Sequence, residues 1–338
     1  MEYTSKERDL TVSVSPHVRS PESVERIMWT VNVSLLPSFA AGIYYFGPRA
    51  LFVTLLCVAG SIFSEWFVQR LAGKEITVKD GSAVLTGLLL GLNMPAAVPF
   101  YIPLVASFMA VGITKQLFGG LGYNIFNPAL IGRAFALITW PRAMTTWLAP
   151  DAVFTALDAK TMATPLGILK EEGMAKLLEH FHDKSNLYWQ LFTGHRAGSI
   201  GETSVIAILL GAAYLVYRGY IKLHIPASFI ATVGLFAWIF GGLSSHTGLF
   251  TGDPMVHMLS GGLILGAFFM ATDYVTCPTV TKGQILFGVG CGLLTILIRL
   301  KAGYPEGVMF AILIMNCFTP LIDRNMRSSV FGRKEVKK

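Results

Sequence analysis

Charged residues and cysteines are scarce in this sequence, and each shortage excludes a class of protein. Of 338 residues only 14% are charged, whereas 53% are hydrophobic. That apolar content exceeds what one soluble core of this size uses, which excludes an ordinary soluble domain. The four cysteines stand singly, with no CxxC pair or close cluster, so a dithiol centre or an all-cysteine iron–sulfur cluster is excluded too. We interpret them as packing residues.

Motifs of soluble enzymes and of metal sites are also missing. The chain has no Walker phosphate loop, no GxGxxG opening a helix, no HExxH and no GxSxG. Its seven histidines lack metal-ligand spacing except for His180 and His182, which lie in a polar segment where solvation explains them. The basic residues behind the net charge of +7 are scattered between apolar runs, which argues against nucleic acid. We therefore expect no independent catalytic residue, no metal and no nucleic-acid partner.

Apolar runs fill most of the chain instead, and they predict an all-α polytopic membrane protein. Several runs are shorter than the roughly 20 residues that a straight helix needs to cross a bilayer. Short runs interrupted by glycine or proline predict half-helices that meet at a central site, here around Pro95 and Pro128 and in the run that ends at Asp273. About ten candidate full or half spans lie near residues 28–46, 49–69, 82–98, 100–117, 128–141, 204–220, 225–241, 257–271, 284–299 and 305–322.

The distribution of lysine and arginine predicts the orientation. If the N-terminus is cytoplasmic, the short loops on the other side hold only Arg49, Arg299 and Lys301. This asymmetry places both termini in the cytoplasm, and it places the long segment between the two halves outside. No cleavable signal is expected, since residues 1–26 lack an apolar core. The predicted organisation is a cytoplasmic N-terminal tail (1–26), a first membrane repeat (27–141), an extracytoplasmic loop (142–203), a second membrane repeat (204–322) and a basic cytoplasmic tail (323–338).

The two membrane halves resemble each other weakly in sequence. An odd number of spans between the matched pieces would invert one half relative to the other, as in transporters that bind their substrate at the repeat interface. Chance similarity between helices rich in leucine, glycine and alanine is the alternative. The matched pieces are LTGLLLGLNMP (85–95) with IAILLGAAYLV (206–216), IPLVASF (102–108) with IPASF (225–229), and ALIGRAF (129–135) with LILGAFF (263–269).

A few polar residues lie in or beside the apolar runs. Asp273 would cost on the order of 3 kcal/mol in the middle of a bilayer, so it marks a functional site unless it only caps a helix at the interface. Lys115 and Arg133 flank the glycine-rich FGGLGYNIFNPA. A helix that begins near Asn127 would present free N–H groups to an anion or a carbonyl oxygen. A simple re-entrant turn explains the glycines nearly as well.

Residues 158–167, DAKTMATPLG, form a polar interruption in the predicted outer loop. Pro165 keeps Thr164 extended rather than helical, because the ring of a proline clashes with a helical residue before it. Taken alone, a threonine before such a proline is an ordinary helix N-cap.

Five motifs together resemble the NqrB/RnfD family, and within it the RnfD proteins of the Rnf electron-transport complex. The similarity covers nearly the whole chain in the same order. The short N-terminal tail favours RnfD over its relative NqrB, which belongs to the sodium-translocating NADH:quinone reductase. The resemblance implies a fold like that of ammonium and urea channels. The motifs are SPHVRSP (15–21), DGSAVLTGLLLGLNMP (80–95), GYNIFNPALIGRAF (122–135), TMATPLG (161–167) and GAFFMATDYVTCP (266–278).

The same resemblance implies a covalent cofactor on the outer side. Members of the family carry FMN joined through its phosphate to a threonine hydroxyl, within a pattern similar to Asp-x-x-Ser-Gly-Ala-Thr, and a separate flavin transferase makes the bond. Residue by residue, Asp158 matches the acid, Thr161 stands where serine is common, Ala163 matches, and Thr164 falls on the acceptor. Met162 replaces the usual glycine.

The family function implied is a one-electron relay in a bacterial inner-membrane complex. Electrons pass between reduced ferredoxin and NAD, coupled to movement of Na⁺ or H⁺. The partners implied are the other Rnf proteins, RnfA, RnfB, RnfC, RnfE and RnfG, above all the FMN-bearing RnfG. Other classes remain open: a channel or transporter without a cofactor, and a scaffold that only packs other subunits.

A second role concerns the centre of the fold. The channel-like fold that the resemblance implies would contain a central pathway for the coupling ion. Members of the family sometimes also hold a noncovalent flavin such as riboflavin. The candidate residues for either site are Asn93, Lys115, Asn127, Arg133 and Asp273.

Overall fold

The computed structural model describes residues 22–150, 161–243, 248–304 and 306–326, and within these ranges it is helical with no strand beyond one isolated bridge. Three helices are long and apolar enough to cross a membrane: Val24–Leu71, Thr281–Lys301 and Val308–Asn325. Shorter apolar helices accompany them. The prediction of an all-α membrane protein is confirmed by the helical content and by these apolar helices.

Fourteen α-helices are numbered here in chain order within the described ranges. They are α1 Val24–Leu71, α2 Ser82–Leu92, α3 Tyr101–Ser107, α4 Pro128–Thr139, α5 Pro141–Met144, α6 Pro165–Glu171, α7 Gly173–Phe181, α8 Lys184–Thr193, α9 Val205–Tyr217, α10 His224–Phe240, α11 Pro254–Leu259, α12 Leu263–Leu265, α13 Thr281–Lys301 and α14 Val308–Asn325. Segments of π-helix continue α3 through Phe108–Gln116 and α12 through Gly266–Met270.

α1 consists of two helical halves joined at a sharp kink. Gly47 has φ 64° and ψ −151°, a backbone conformation that favours glycine, and Pro48 follows it. The second half therefore starts in a new direction, which agrees with two predicted runs at 28–46 and 49–69. Ser23 caps the first half by accepting a hydrogen bond from the Arg26 N–H at 3.2 Å.

In two of the predicted interrupted runs, the helix is shorter than the apolar run in the sequence. α2 ends at Leu92, although the run extends to 98, because Pro95 disfavours helical backbone before it. The run 257–271 is split between α11 and α12, where Gly261 and Gly262 both have positive φ, 65° and 66°. With 11 and 12 residues, α2 and α4 are too short to cross a bilayer alone.

Glycines bring neighbouring helices close together. A Cβ atom at Gly87 of α2 would lie 2.6 Å from the Val58 Cα atom, and one at Gly91 would lie 2.8 Å from the Thr54 Cα atom, both in the second half of α1. Glycines four residues apart thus let two backbones meet, the usual device of membrane helix pairs. α10 and α13 meet in the same way at Gly288 and Gly292.

The segment 142–203, which we expected to be a loop, contains a small folded unit. α6, α7 and α8 bury a second apolar cluster against α11, separate from the main core between the membrane helices. The cluster comprises Leu166, Ile168, Leu169, Leu177, Phe181, Leu187, Leu191 and Val256. The Tyr188 hydroxyl donates to Asp253 Oδ2 at 2.5 Å and joins α8 to the start of α11.

The orientation of the two halves in the membrane and their inverted repeat stay predictions.

Candidate functional site: a threonine cavity and a buried arginine cluster

Thr164 immediately precedes α6 and caps its first turn. Its backbone is extended, with φ −68° and ψ 153°, so the conformation expected before Pro165 is confirmed. The Thr164 hydroxyl oxygen accepts a hydrogen bond from the Gly167 N–H at 3.1 Å. The residue is 7% exposed. The N-cap interpretation therefore holds, and it leaves the hydroxyl beside a cavity.

A cavity of about 610 Å³, which we call the Thr164 cavity, opens beside this residue. The volume falls within the range of sites that hold a small molecule or cofactor. Two arginines, two glutamates and two aromatic side chains line it among apolar and small residues. The lining consists of Arg133, Leu137, Pro141, Arg142, Met144, Thr145, Trp147, Ala163, Thr164, Gly167, Glu171, Gly261, Gly303, Tyr304, Glu306, Val308 and Met309.

The other residues of the expected attachment pattern lie in different surroundings. Ala163 is exposed and lines the Thr164 cavity. Thr161 is exposed and forms an isolated antiparallel bridge with Leu148 instead. Asp158 lies outside the described residues. The structure thus brings Ala163 and Thr164, but not Thr161, to the cavity wall.

The connection between α13 and α14 holds α6 in place. Lys170 Nζ on α6 donates to the backbone oxygens of Ala302 and Tyr304, the latter at 3.2 Å. Partial burial lowers the pKa of the Lys170 ammonium. Since Tyr304 also lines the Thr164 cavity, this contact fixes two of its walls relative to each other.

A buried cluster centred on Arg133 lies at the same cavity, and we call it the arginine cluster. Arg133 Nη1 donates to Asn93 Oδ1 at 2.6 Å and to Glu202 Oε1 at 2.7 Å. Arg133 Nη2 donates to Glu306 Oε2 at 2.6 Å and to Ser199 Oγ at 3.3 Å. A buried charge is tolerated when it is paired and hydrogen-bonded in this way. Arg133 and Glu306 of the cluster line the cavity.

Two further buried arginines stand around the cluster. Arg196 Nη2 donates to the Glu202 backbone oxygen at 2.8 Å, and Arg299 Nη2 donates to the Ser260 backbone oxygen at 2.9 Å. Burial lowers the pKa of Arg196 to about 10, although Glu202 and Glu306 oppose that shift, so Arg196 stays charged at neutral pH. Three buried arginines and the two glutamates Glu202 and Glu306 therefore lie close together in this region.

The ends of the broken helices meet beside the arginine cluster. Asn93 follows α2, and its Nδ2 atom lies 3.8 Å from the Met270 sulfur. Asn127 precedes α4 and donates from Nδ2 to the Met270 backbone oxygen at 3.3 Å. Its Oδ1 atom accepts from the Ala129 N–H at 3.1 Å, so the asparagine caps its own helix. We had expected the first N–H groups of α4 to be free for a ligand, but this cap occupies one of them.

A second cavity, the Asp273 cavity of about 110 Å³, is lined by Lys115, Asn127 and Asp273. Asp273 also caps a turn, because its Oδ2 atom accepts from the Thr276 hydroxyl at 3.2 Å. α4 connects the two cavities, since Asn127 borders this one and Arg133 the other, about 9 Å further along the helix. The five candidate residues of the centre are therefore divided between two places.

Lys115 lies near the end of the π-helical continuation of α3 and flanks the glycine turns, since its backbone oxygen accepts from the Gly120 N–H at 3.0 Å. Its Nζ atom donates to Glu65 Oε1 at 2.7 Å and to Ser82 Oγ at 2.6 Å. Gln116 Nε2 donates to the same Glu65 oxygen at 2.6 Å. The exposed fractions of the Lys115 and Glu65 side chains are 2% and 0%. A single π-helical stretch inside an otherwise α-helical span is often found at functional sites.

Sequence reasoning missed the three acidic partners Glu65, Glu202 and Glu306. Glu65 carried a readable signal, since it is an acidic residue inside the apolar run 49–69. Glu202 and Glu306 lie just before or at the beginning of apolar runs, where a carboxylate is unremarkable. Across the described ranges no group of three or more His, Cys, Asp or Glu side chains is placed to hold a metal ion.

Comparison with known proteins shows sequence similarity over nearly the full length of the chain. The D subunit of the proton-translocating ferredoxin:NAD(+) oxidoreductase complex of Clostridium ljungdahlii is 52% identical over 329 residues, which cover 97% of this chain and 98% of the relative. The D subunit of the Na(+)-translocating complex of Acetobacterium woodii is 45% identical and covers 98% of both chains. The D subunit of an ion-translocating oxidoreductase complex of Stutzerimonas stutzeri is 38% identical, covering 92% of this chain and 93% of the relative.

The family assignment follows from two matches. The relatives above are 38% to 52% identical to this chain over at least 92% of its length. Residues 11–332 also match the NQR2, RnfD, RnfE family as a whole. The chain therefore belongs to the NQR2, RnfD, RnfE family.

Proposed function

We propose that this chain is the membrane protein RnfD of an Rnf-type ferredoxin:NAD oxidoreductase complex, in which it carries FMN bound covalently to Thr164. The flavin relays electrons near the outer membrane face, and the complex couples that flow to movement of Na⁺ or H⁺. The relatives named above support the complex, because the two with the highest identity among them are the D subunits of such translocating oxidoreductases.

The observation that carries the cofactor proposal is the position of Thr164 at the wall of a 610 Å³ cavity. A phosphodiester needs a hydroxyl at the edge of a space that can accept the isoalloxazine, and the neighbours of Thr164 on that wall, Ala163 and Gly167, are small. Trp147 and Tyr304 offer aromatic surface to a flat ring system. Arginine side chains offer cationic groups in the same space. The residues present fit FMN.

The bound flavin would supply the electron-transfer chemistry, and the protein's own residues would fix its place. Thr164 would hold the phosphate end, and the Lys170 contact to the α13–α14 connection would keep the cavity walls in register. Because Thr164 is 7% exposed, the transferase would have to act before α6 is fully packed. Covalent attachment would prevent loss of a flavin that faces the outside of the cell.

The attachment is tested by the fluorescence of the denatured chain. The protein co-expressed with an active flavin transferase should fluoresce under ultraviolet light in a denaturing gel after acid precipitation. Thr164→Ala should abolish this fluorescence, whereas the matched control Thr161→Ala should keep it, since Thr161 lies away from the cavity wall. A wild-type band without fluorescence would favour a channel that has no cofactor.

The placement in the cell completes the proposal. The chain would sit in the bacterial inner membrane with both termini cytoplasmic and the segment 142–203 outside, as the lysine and arginine distribution predicts. Its partners would be RnfA, RnfB, RnfC, RnfE and RnfG, with electrons exchanged above all with the FMN-bearing RnfG. One competing assignment is NqrB of a sodium-translocating NADH:quinone reductase. Another is a passive scaffold, for which electron flow in Thr164→Ala would be normal.

A second candidate function rests on the Asp273 cavity. Asp273, Lys115 and Asn127 border it, and Asn93 and Arg133 lie beyond the junction at Met270. Such an arrangement of polar residues at broken helix ends is typical of ion or ligand sites in membrane proteins. We propose that this region serves the coupling ion. A noncovalent flavin such as riboflavin fits it less well, because a cavity of about 110 Å³ lies below the usual range of small-molecule sites.

A further inference from the structure

The arginine cluster presents one cationic and one anionic side chain to the Thr164 cavity. Arg133 comes from α4, and Glu306 comes from the connection between α13 and α14. They are joined by a hydrogen bond of 2.6 Å, and Glu202 pairs with the other guanidinium nitrogen. The covalent bond proposed at Thr164 involves neither residue, so the pairing of Arg133 with Glu306 in this wall calls for its own explanation.

The guanidinium of Arg133 cannot easily move away from the cavity. Four acceptors on different parts of the chain hold it: Asn93 after α2, Ser199 and Glu202 before α9, and Glu306 before α14. A charge fixed in this way does not reorient when a neighbour gains charge, and in a poorly solvated site its influence is stronger than in water. It is therefore a preorganised electrostatic element of the cavity wall.

We propose that Arg133 raises, and Glu306 lowers, the reduction potential of the flavin held in the Thr164 cavity, an inference that rests on the proposed attachment at Thr164. Reduction adds electrons and hence negative charge to the isoalloxazine. A fixed cation beside it stabilises the reduced form, while a fixed carboxylate destabilises it. The hydrogen bonds of the arginine cluster hold both charges at fixed positions in the cavity wall. Arg133 and Glu306 are thus tuning residues, and they take no part in a covalent step.

The opposite signs separate this role from a merely structural one. Loss of either partner would weaken the buried ion pair and destabilise the fold in the same direction. Only an electrostatic effect on the flavin moves the potential down in Arg133→Gln and up in Glu306→Gln. Arg133→Lys keeps the charge and should restore most of the shift, although lysine cannot reproduce all four hydrogen bonds.

The experiment is a redox titration of the purified flavinylated chain, followed by absorbance in detergent. We expect Arg133→Gln to lower the midpoint potential and Glu306→Gln to raise it. Each change should be about 30 mV, which corresponds to a tenfold change in the equilibrium constant of two-electron reduction. The control Lys176→Gln removes a charge whose side chain is 60% exposed and should leave the potential unchanged. In-gel fluorescence of each variant reports attachment separately, and size-exclusion chromatography reports folding.

The possible results separate the tuning role from the flavin attachment on which it rests. If the wild type carries no covalent flavin, both the attachment at Thr164 and the tuning role are wrong. If flavin is attached and the two variants leave the potential unchanged, or move it in the same direction, the tuning role is wrong while the attachment stands. Should Arg133→Gln fail to fold, Glu306→Gln and Arg133→Lys decide the matter, since a potential unchanged in Glu306→Gln would by itself refute the proposal.

Discussion

At the scale of single residues, charges buried among apolar helices define this molecule. Glu65 and Lys115 form an ion pair of 2.7 Å inside the helix bundle, and Ser82 accepts a second hydrogen bond from the same ammonium. Glu65 is reached by Gln116 as well. Removing one partner of such a pair leaves the other charge without compensation, which costs more than the pair itself contributes.

We predict that Lys115→Met destabilises the protein by about 3–5 kcal/mol, because Glu65 would be left buried and unpaired. The double variant Glu65→Gln with Lys115→Met should recover much of this loss, since contacting residues are coupled. Thermal unfolding of the detergent-solubilised chain, followed with a thiol-reactive dye, measures both. A single variant as stable as the wild type, or strictly additive effects, would contradict a tight pair.

The sequence made some of these residues visible but not their partners. Lys115 and Asp273 could be singled out because a polar residue in or beside an apolar run requires a reason. Thr164 was singled out only by the family resemblance. Pairing could not be predicted, because it joins residues far apart in the chain. Arg133 and Glu306 are separated by 173 positions, and no local pattern links them.

At the scale of elements, close contacts between helices decide where the polar residues meet. Gly87 lets α2 lie directly on the second half of α1, with a Cβ position 2.7 Å from the Cys57 backbone oxygen. This contact places the two ends of α2, at Ser82 and Asn93, beside Lys115 and Arg133 respectively. Both polar clusters thus depend on one helix pair.

We predict that Gly87→Ala destabilises the fold by about 1–3 kcal/mol, because backbone atoms cannot yield to the added methyl group. Gly198→Ala is the matched control, since its Cβ would meet its nearest neighbour at an ordinary 3.6 Å. The same thermal unfolding assay compares the two. Equal stability of Gly87→Ala and the wild type would show that α1 and α2 are not packed this tightly.

The apolar runs predicted the element boundaries within a few residues where the helices cross the bundle. They failed where backbone chemistry ends a helix early, as Pro95 does for α2 and the positive-φ pair Gly261 and Gly262 does before α12. They also missed α6, α7 and α8, because their apolar residues are interspersed with charged ones and bury only one face.

At the scale of the whole molecule, the relatives named above belong to translocating oxidoreductase complexes, but they do not share one coupling ion. One close relative is named for proton translocation and another for Na⁺ translocation, although both share at least 45% identity with this chain. One cavity is bordered by Asp273 and the other by Thr164, and α4 contributes residues to both. The proposed ion movement and the proposed electron transfer can therefore be tested separately by mutation.

We predict that Asp273→Asn, reconstituted with its complex in vesicles, lowers ion pumping per transferred electron severalfold, because the variant removes the carboxylate that borders the Asp273 cavity. Asp183→Asn, at the N-cap of α8 in the segment 142–203, is the control and should pump normally. Ion uptake and ferredoxin oxidation are measured together. Full pumping with unchanged electron transfer in Asp273→Asn would remove this residue from the pathway.

The central claim, FMN on Thr164, is tested most directly by mass spectrometry of one tryptic peptide. Cleavage after Lys160 and Lys170 releases TMATPLGILK, which contains both candidate hydroxyls. In protein matured with the flavin transferase, the peptide should gain the mass of FMN less one water. Fragment ions should place that mass on Thr164 and leave Thr161 unmodified. An unmodified peptide, or a flavin assigned to Thr161, would contradict the account.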